Sequence, residues 1–244
     1  MANPILKTTN FANETVIDEK PMTITGTINK SLMLISTIIL SACYVWSLIS
    51  AGFTDKATIL GMGGFFAALI AGLVVIFAKP RFSNILAFVY SIGEGFCLGY
   101  ISAHFEARFP GIVMQAFFAT LIAMLTMLLL YRAGMIRATE KFRSVMFTAM
   151  SSILIIYVIQ IGASFFGRSI PQIFEASTIG IIFSFIVVAI ASLNFILDFD
   201  NIEQGATHMA PKIYEWICAL GLMFSLVWLY IELLNLLAKL SNRN

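Results

Sequence analysis

Charged side chains are scarce in this chain. Aspartate, glutamate, lysine and arginine together make up 11% of its 244 residues, whereas hydrophobic residues make up 59%. An ordinary soluble domain has roughly 25% charged residues. A soluble fold of this length could not bury so much apolar surface, so we expect a lipid bilayer to solvate it instead. The net charge of +2 gives no indication of nucleic-acid binding.

Residues that build metal and redox sites are also few. His104 and His208 are the two histidines, and both are expected in loops, so a multi-histidine metal site is excluded. Cys43, Cys97 and Cys218 all lie in apolar runs without a Cys-x-x-Cys pair, which argues against a disulfide framework. No histidine is placed to activate a serine within the membrane. We therefore expect neither an enzyme nor a bound cofactor.

Long apolar runs, in contrast, fill most of the chain. A helix needs about 20 apolar residues to cross a hydrocarbon core about 30 Å thick. Seven runs are long enough, namely residues 31–53, 57–78, 82–103, 111–131, 144–166, 177–197 and 213–238. Because lipid-exposed spans must satisfy their own backbone hydrogen bonds, we expect helices. The sequence predicts an all-α, seven-helix transmembrane domain over residues 31–244, preceded by a polar cytoplasmic tail over residues 1–30.

Basic residues are distributed unequally between the two sides of the predicted helices. The side that holds the N-terminal tail carries ten lysines and arginines and the opposite side five, which accounts for all 15. Loops rich in lysine and arginine are retained in the cytoplasm. We therefore expect an integral protein of a bacterial inner membrane with its N-terminus in the cytoplasm.

Acidic side chains inside apolar runs are candidate functional groups, because ionisable groups at membrane depth are costly. Glu94 lies near the middle of the third run, which contains no cation, and is either a neutral link between helices or a proton or ion site. Asp198 and Asp200 follow the sixth run, and two residues span about 200° of a helix, so they face different directions. Glu232 lies well inside the seventh run.

Carboxylates that approach one another share a proton or a cation, because two adjacent negative charges repel. Their oxygen atoms suit hard cations such as Ca²⁺. Asp198, Asp200 and Glu232 are therefore predicted metal ligands, and Glu94 and Glu215 are further candidates for an ion path. Glu215, near the start of the seventh run, is an alternative partner for Asp198 or Asp200.

Small residues four positions apart predict where helices approach closely. Three runs contain this spacing, at Gly64, Ala68 and Gly72, at Gly95 and Gly99, and at Gly221 and Ser225. The spacing is typical of helix bundles and does not indicate a function.

Four segments carry motifs of defined spacing. Residues 93–100 read Gly-Glu-Gly-Phe-Cys-Leu-Gly-Tyr, and residues 116–120 read Ala-Phe-Phe-Ala-Thr. Residues 199–201 read Phe-Asp-Asn, and residues 229–236 read Leu-Tyr-Ile-Glu-Leu-Leu-Asn-Leu. The four resemble, in order, the Gly-x-Gly-x-x-Leu-Gly, Ala-Phe-x-x-Thr, aromatic-Asp-Thr and Leu-Tyr-Leu-Asp-Phe-Ile-Asn-Leu motifs of the Bax-inhibitor (transmembrane Bax-inhibitor-motif) family.

The resemblance implies six helices around a central seventh. It also implies a pH-sensitive Ca²⁺ leak, gated by an acidic pair in the last two spans. Here the pair corresponds to Asp200 and Glu232, with glutamate where the family has aspartate. The partners are then the lipid bilayer and the transported cation. Some bacterial relatives are associated with membrane proteases, so the alternative is a non-transporting regulator of a protease or stress pathway that acts through the N-terminal tail.

Overall fold

The computed structural model describes residues 20–77, 82–166, 173 and 175–243. These residues form seven long helices and no strand: α1 Ile24–Ser50, α2 Thr54–Phe77, α3 Ser83–Arg108, α4 Ile112–Arg132, α5 Glu140–Phe165, α6 Thr178–Thr207 and α7 Tyr214–Ser241. Each contains a stretch long and apolar enough to cross a membrane. The predicted fold class, an all-α protein with seven membrane-spanning helices, is confirmed.

Two helices are longer than hydropathy alone predicts. α1 begins at Ile24 rather than at residue 31, because the Thr23 side chain caps it by accepting a hydrogen bond from the Gly26 amide. Residues 24–30 therefore belong to the helix, and residues 1–19 of the expected tail lie outside the described part of the chain. α6 continues to Thr207, so Asp198 and Asp200 lie inside this helix and not at its end.

The helices fall into two compact units. The first unit contains α1, α2, α3, the end of α6 from Asp200 and the start of α7 through Phe224. A Cβ atom added at Gly93 of α3 would lie 2.6 Å from the carbonyl oxygen of Gly64 in α2, and one at Gly95 would lie 2.5 Å from that of Ile38 in α1. Backbones of α1, α2 and α3 are therefore in direct contact, as the small residues predicted.

The second unit contains α4, α5, α6 through Phe199 and α7 from Ser225. In this unit α6 and α7 are antiparallel neighbours. Lys239 near the end of α7 contacts Ser184 near the start of α6, and Ser225 contacts Asp198 fourteen residues further along α6.

Apolar side chains cover much of the outer surface. Leu40, Ile59, Leu129 and Phe185 are all at least 66% exposed. In water these surfaces would be costly, whereas lipid tails solvate them. Together with the seven apolar helices they show an integral membrane protein. α7 is the most extensively buried of the seven helices and contributes to the core of both units.

Candidate functional site

Polar residues recur along one face of α7 within the second unit. Ser225, Glu232 and Lys239 are each seven residues apart. Seven residues turn a helix by about 700°, close to two full turns, and advance it by about 10.5 Å. The three side chains therefore form three levels on one side of the helix. We call this face, with the residues that bind to it, the polar seam.

The first level of the polar seam contains Asp198. Its carboxylate is 3% exposed and accepts a hydrogen bond from the Ser225 hydroxyl. The Ser225 oxygen in turn accepts a hydrogen bond from the Asn194 amide over 2.7 Å. Asn194 and Ser225 are buried as well. Ser225 thus uses its donor and an acceptor position to join two polar groups of α6 to α7.

The second level contains Glu232, which is also 3% exposed. Its Oε1 atom accepts a hydrogen bond from the Tyr157 hydroxyl of α5 over 2.7 Å. The same oxygen accepts a second one from the indole N–H of Trp228, one turn earlier on α7, over 3.2 Å. Neutral donors on two different helices therefore hold this carboxyl group.

The third level contains Lys239. Its ammonium group donates to the carbonyl oxygens of Ile173 and Gly180 over 3.0 and 3.1 Å, and to the Ser184 hydroxyl over 2.8 Å. These contacts use all three donors of the ammonium group. Lys239 thereby joins the end of α7 to the start of α6 through hydrogen bonds.

Asp200 lies in the first unit and is only half-buried. It accepts a hydrogen bond from the Gln204 amide, one turn further along α6, over 2.7 Å. Asp198 and Asp200 therefore have different surroundings, as their spacing predicted, and Asp198 is the buried one. Asp200 and Glu232 each have a hydrogen-bond partner within their own unit. The expected pairing of the two with each other stays a prediction.

Glu215 has partners other than the aspartates suggested from sequence. This carboxylate, 1% exposed, forms an ion pair with Lys30 of α1. Its Oε1 atom also accepts hydrogen bonds from the amide and the hydroxyl of Thr23, over 2.9 and 3.2 Å. The predicted roles of Glu215, as an alternative partner of Asp198 or Asp200 and as an ion-path residue, stay predictions.

The segment before α1 binds to the residues just before α7, close to this ion pair. The Met22 amide donates to the carbonyl oxygen of Ala210 over 2.8 Å, and Pro21 forms an antiparallel bridge with Pro211. The Met22 side chain is buried against the start of α7. Residues 20–23, which we call the strap, therefore join the beginning of α1 to the beginning of α7.

Glu94 lies at the middle of α3 and is half-buried. Its neighbours Gly93 and Gly95 contact α2 and α1, so the carboxyl group is on a different side of α3 from both contacts. That side also carries Tyr90, one turn earlier, whose ring packs against Phe224 with centroids 4.5 Å apart. Its role as an ion-path residue stays a prediction.

Metal-ligating side chains are not clustered in the described part of the chain, where no three His, Cys, Asp or Glu residues could hold one ion. The assignment of Asp198, Asp200 and Glu232 as metal ligands stays a prediction. His104, expected in a loop, lies inside α3.

The comparison with known families agrees with the fold and the motifs. The sequence model of a family described as Bax inhibitor 1 like matches residues 3–242, nearly the whole chain. The chain belongs to the Bax inhibitor 1 like family. No curated protein matches the sequence. Family membership thus confirms the resemblance read from the motifs. The residues of the polar seam are identified from the geometry of this chain alone.

Several members of the polar seam were missed in the sequence. Tyr157, Trp228 and Asn194 are polar residues within apolar runs, which the sequence shows. The sequence does not show which neighbouring helix each side chain faces. Ser225 was noted only as a small residue that permits helix contact. Its hydroxyl becomes informative once Asp198 is known to face it.

Proposed function

We propose that the protein is a pH-sensitive cation leak channel, with Ca²⁺ as the cation, gated by intramembrane carboxylates of the polar seam. The observation that supports it most directly is the burial of Asp198 and Glu232 on successive levels of the α6–α7 contact. Resemblance to the Bax-inhibitor motifs in the last two spans points the same way. In this proposal the protein is not an enzyme and has no cofactor, and Ca²⁺ is its cargo.

The chemistry follows from the cost of burying charge. An isolated carboxylate inside a bilayer is strongly disfavoured, so it has to be neutralised by a proton or by a cation. Asp198 accepts a hydrogen bond from the Ser225 hydroxyl, and Glu232 accepts hydrogen bonds from Tyr157 and Trp228. These donors are uncharged, so the hydrogen bonds themselves do not neutralise either carboxylate. Exchange of a proton for a cation at these carboxylates would then change the contact between α6 and α7.

The test is Ca²⁺ flux through proteoliposomes that contain the full chain, measured from acidic to mildly alkaline pH. We expect Asp198→Asn and Glu232→Gln each to remove most of the pH dependence, because the amides cannot exchange a proton. Asp200→Asn tests the pair that the family motif indicates. Glu203→Gln, an exposed acid on the same helix, is the matched control. Flux that is unchanged in all three variants at every pH would exclude these carboxylates from the gate.

One observation favours the alternative, a non-transporting regulator of a membrane protease or stress pathway. The strap connects the N-terminal tail to the start of α7. A partner that binds the tail would therefore act on the helix that carries Glu232. Deleting residues 1–19 separates the two functions, since a leak channel keeps its Ca²⁺ flux and a tail-dependent regulator loses its partner.

A further inference from the structure

Glu232 is held from a helix that the expected gate does not include. The two helices of the acidic pair are α6 and α7, yet the hydroxyl that reaches Glu232 belongs to Tyr157 of α5. The oxygen–oxygen distance of 2.7 Å is that of a well-formed O–H···O bond. The second donor, Trp228, lies on the same helix as Glu232. Tyr157 thus provides the hydrogen bond that joins Glu232 to a different helix.

The register of α6 against α7 explains why the partner comes from α5. Ser184 contacts Lys239, and Asp198 contacts Ser225, so fourteen residues on one helix match fourteen on the other. Halfway between these contacts, Glu232 lies level with Ala191, which is fully buried. An alanine methyl group offers no hydrogen bond. At the level of Glu232, Ala191 of α6 therefore offers no hydrogen-bond donor, and Tyr157 of α5 is the donor from another helix.

The donors also define the direction of the carboxyl group. An indole N–H can only donate, so the Oε1 atom of Glu232 must be the acceptor. The Tyr157 hydroxyl converges on the same atom. Because Glu232 is almost completely buried, breaking this bond without a replacement removes one of the two donors to its Oε1 atom, which costs free energy. The state in which Tyr157 is bonded to Glu232 is therefore favoured over one in which the two side chains separate.

We infer that Tyr157 is a positioning residue of the gate, whose hydroxyl holds the Glu232 carboxyl group in the sealed state. The gate is then built from α5 as well as α6 and α7, and it opens only when the Tyr157–Glu232 bond breaks. This inference rests on the proposed function. It assigns Tyr157 no contact with the transported ion.

The first experiment measures Ca²⁺ flux in proteoliposomes under conditions in which the wild-type protein is sealed. Tyr157→Phe keeps the ring and removes the hydroxyl, so we expect the flux to rise about fivefold, the equivalent of one buried hydrogen bond. Tyr44→Phe, at an exposed tyrosine of α1, is the matched control and leaves the flux unchanged. In a Glu232→Leu background, which has no acceptor for the Tyr157 hydroxyl, Tyr157→Phe has a much smaller effect if the two residues act together.

The second experiment observes the bond without relying on transport. The infrared band of the Glu232 carboxyl group is identified as the one that Glu232→Gln removes. Tyr157→Phe shifts this band, since the carboxyl group loses a donor, whereas Tyr44→Phe does not. An unshifted band, or an equal flux increase in the Glu232→Leu background, overturns the inference. If the wild-type protein carries no Ca²⁺, the proposed function and the gating role fail, and a shifted band still shows that Tyr157 holds Glu232.

Discussion

Replacing Lys30 with methionine is expected to destabilise the protein more than replacing its partner, Glu215, with glutamine. Glu215 is 1% exposed, whereas the side chain of Lys30 is 13% exposed. Without Lys30, a buried carboxylate keeps only its bonds to Thr23. Removing one partner of a buried ion pair costs about 3–5 kcal/mol. Because the Thr23 donors remain, we expect the free energy of unfolding to fall by about 3 kcal/mol, at the lower end of this range.

The reverse substitution leaves a milder defect. Glutamine at position 215 retains an oxygen that accepts from Thr23, so the strap keeps that contact. Lys30 then lacks its counter-charge, but a long flexible side chain that is already partly exposed can carry its ammonium group to water. We therefore expect Glu215→Gln to lower the free energy of unfolding by only about 1 kcal/mol.

Reversible unfolding in mixed micelles measures both changes. Trp216 fluorescence is a local probe, since the Lys30 ammonium group lies 5.2 Å from the centre of its ring. Lys56→Met is the matched control, because Lys56 is an exposed lysine near the start of α2. The double variant Lys30→Met with Glu215→Gln should cost less than the sum of the two single changes. If Glu215→Gln proves as destabilising as Lys30→Met, then burial does not govern this ion pair and the reasoning is refuted.

Two further substitutions test the helix contacts through thermal unfolding in detergent. Ser225→Ala removes the hydroxyl shared by Asp198 and Asn194, so we expect a loss of about 2 kcal/mol from the unsatisfied buried groups. Stability equal to wild type would show that neither group depends on it. Gly93→Ala places a methyl group 2.6 Å from a carbonyl oxygen of α2 and should cost about 1–3 kcal/mol. Gly63→Ala, which meets nothing within 4 Å, is its control and should be neutral or slightly stabilising.

Hydropathy was sufficient to predict the seven spans, because a helix that crosses a bilayer needs about 20 mostly apolar residues, whether each side chain faces lipid or another helix. It failed at two helix ends for a physical reason. Asp198 and Asp200 look like the end of an apolar run, yet α6 continues past both, and their carboxylates accept hydrogen bonds from Ser225 and Gln204. Likewise, α1 extends back to Ile24, where a polar cap and not hydropathy sets its first residue.

The candidate site was predicted only in part. Buried carboxylates in the last two helices follow from the sequence, since an acid in an apolar run is conspicuous. Their partners do not, because the Tyr157–Glu232 contact joins residues 75 positions apart and the Lys30–Glu215 contact joins residues 185 apart. No periodicity within a single helix specifies such a pair.

The strap has a consequence for how the protein is made. During synthesis the N-terminal residues leave the ribosome first, whereas Glu215 and Ala210, to which the strap binds, are added after six helices have formed. Until then Lys30 has no acidic partner and contributes a full positive charge to the orientation of the first helix. Once the last helix is inserted, Glu215 balances that charge, and the strap joins the beginning of α1 to the beginning of α7. The same lysine is therefore unpaired while the first helix is inserted and afterwards links the beginning of α1 to the beginning of α7.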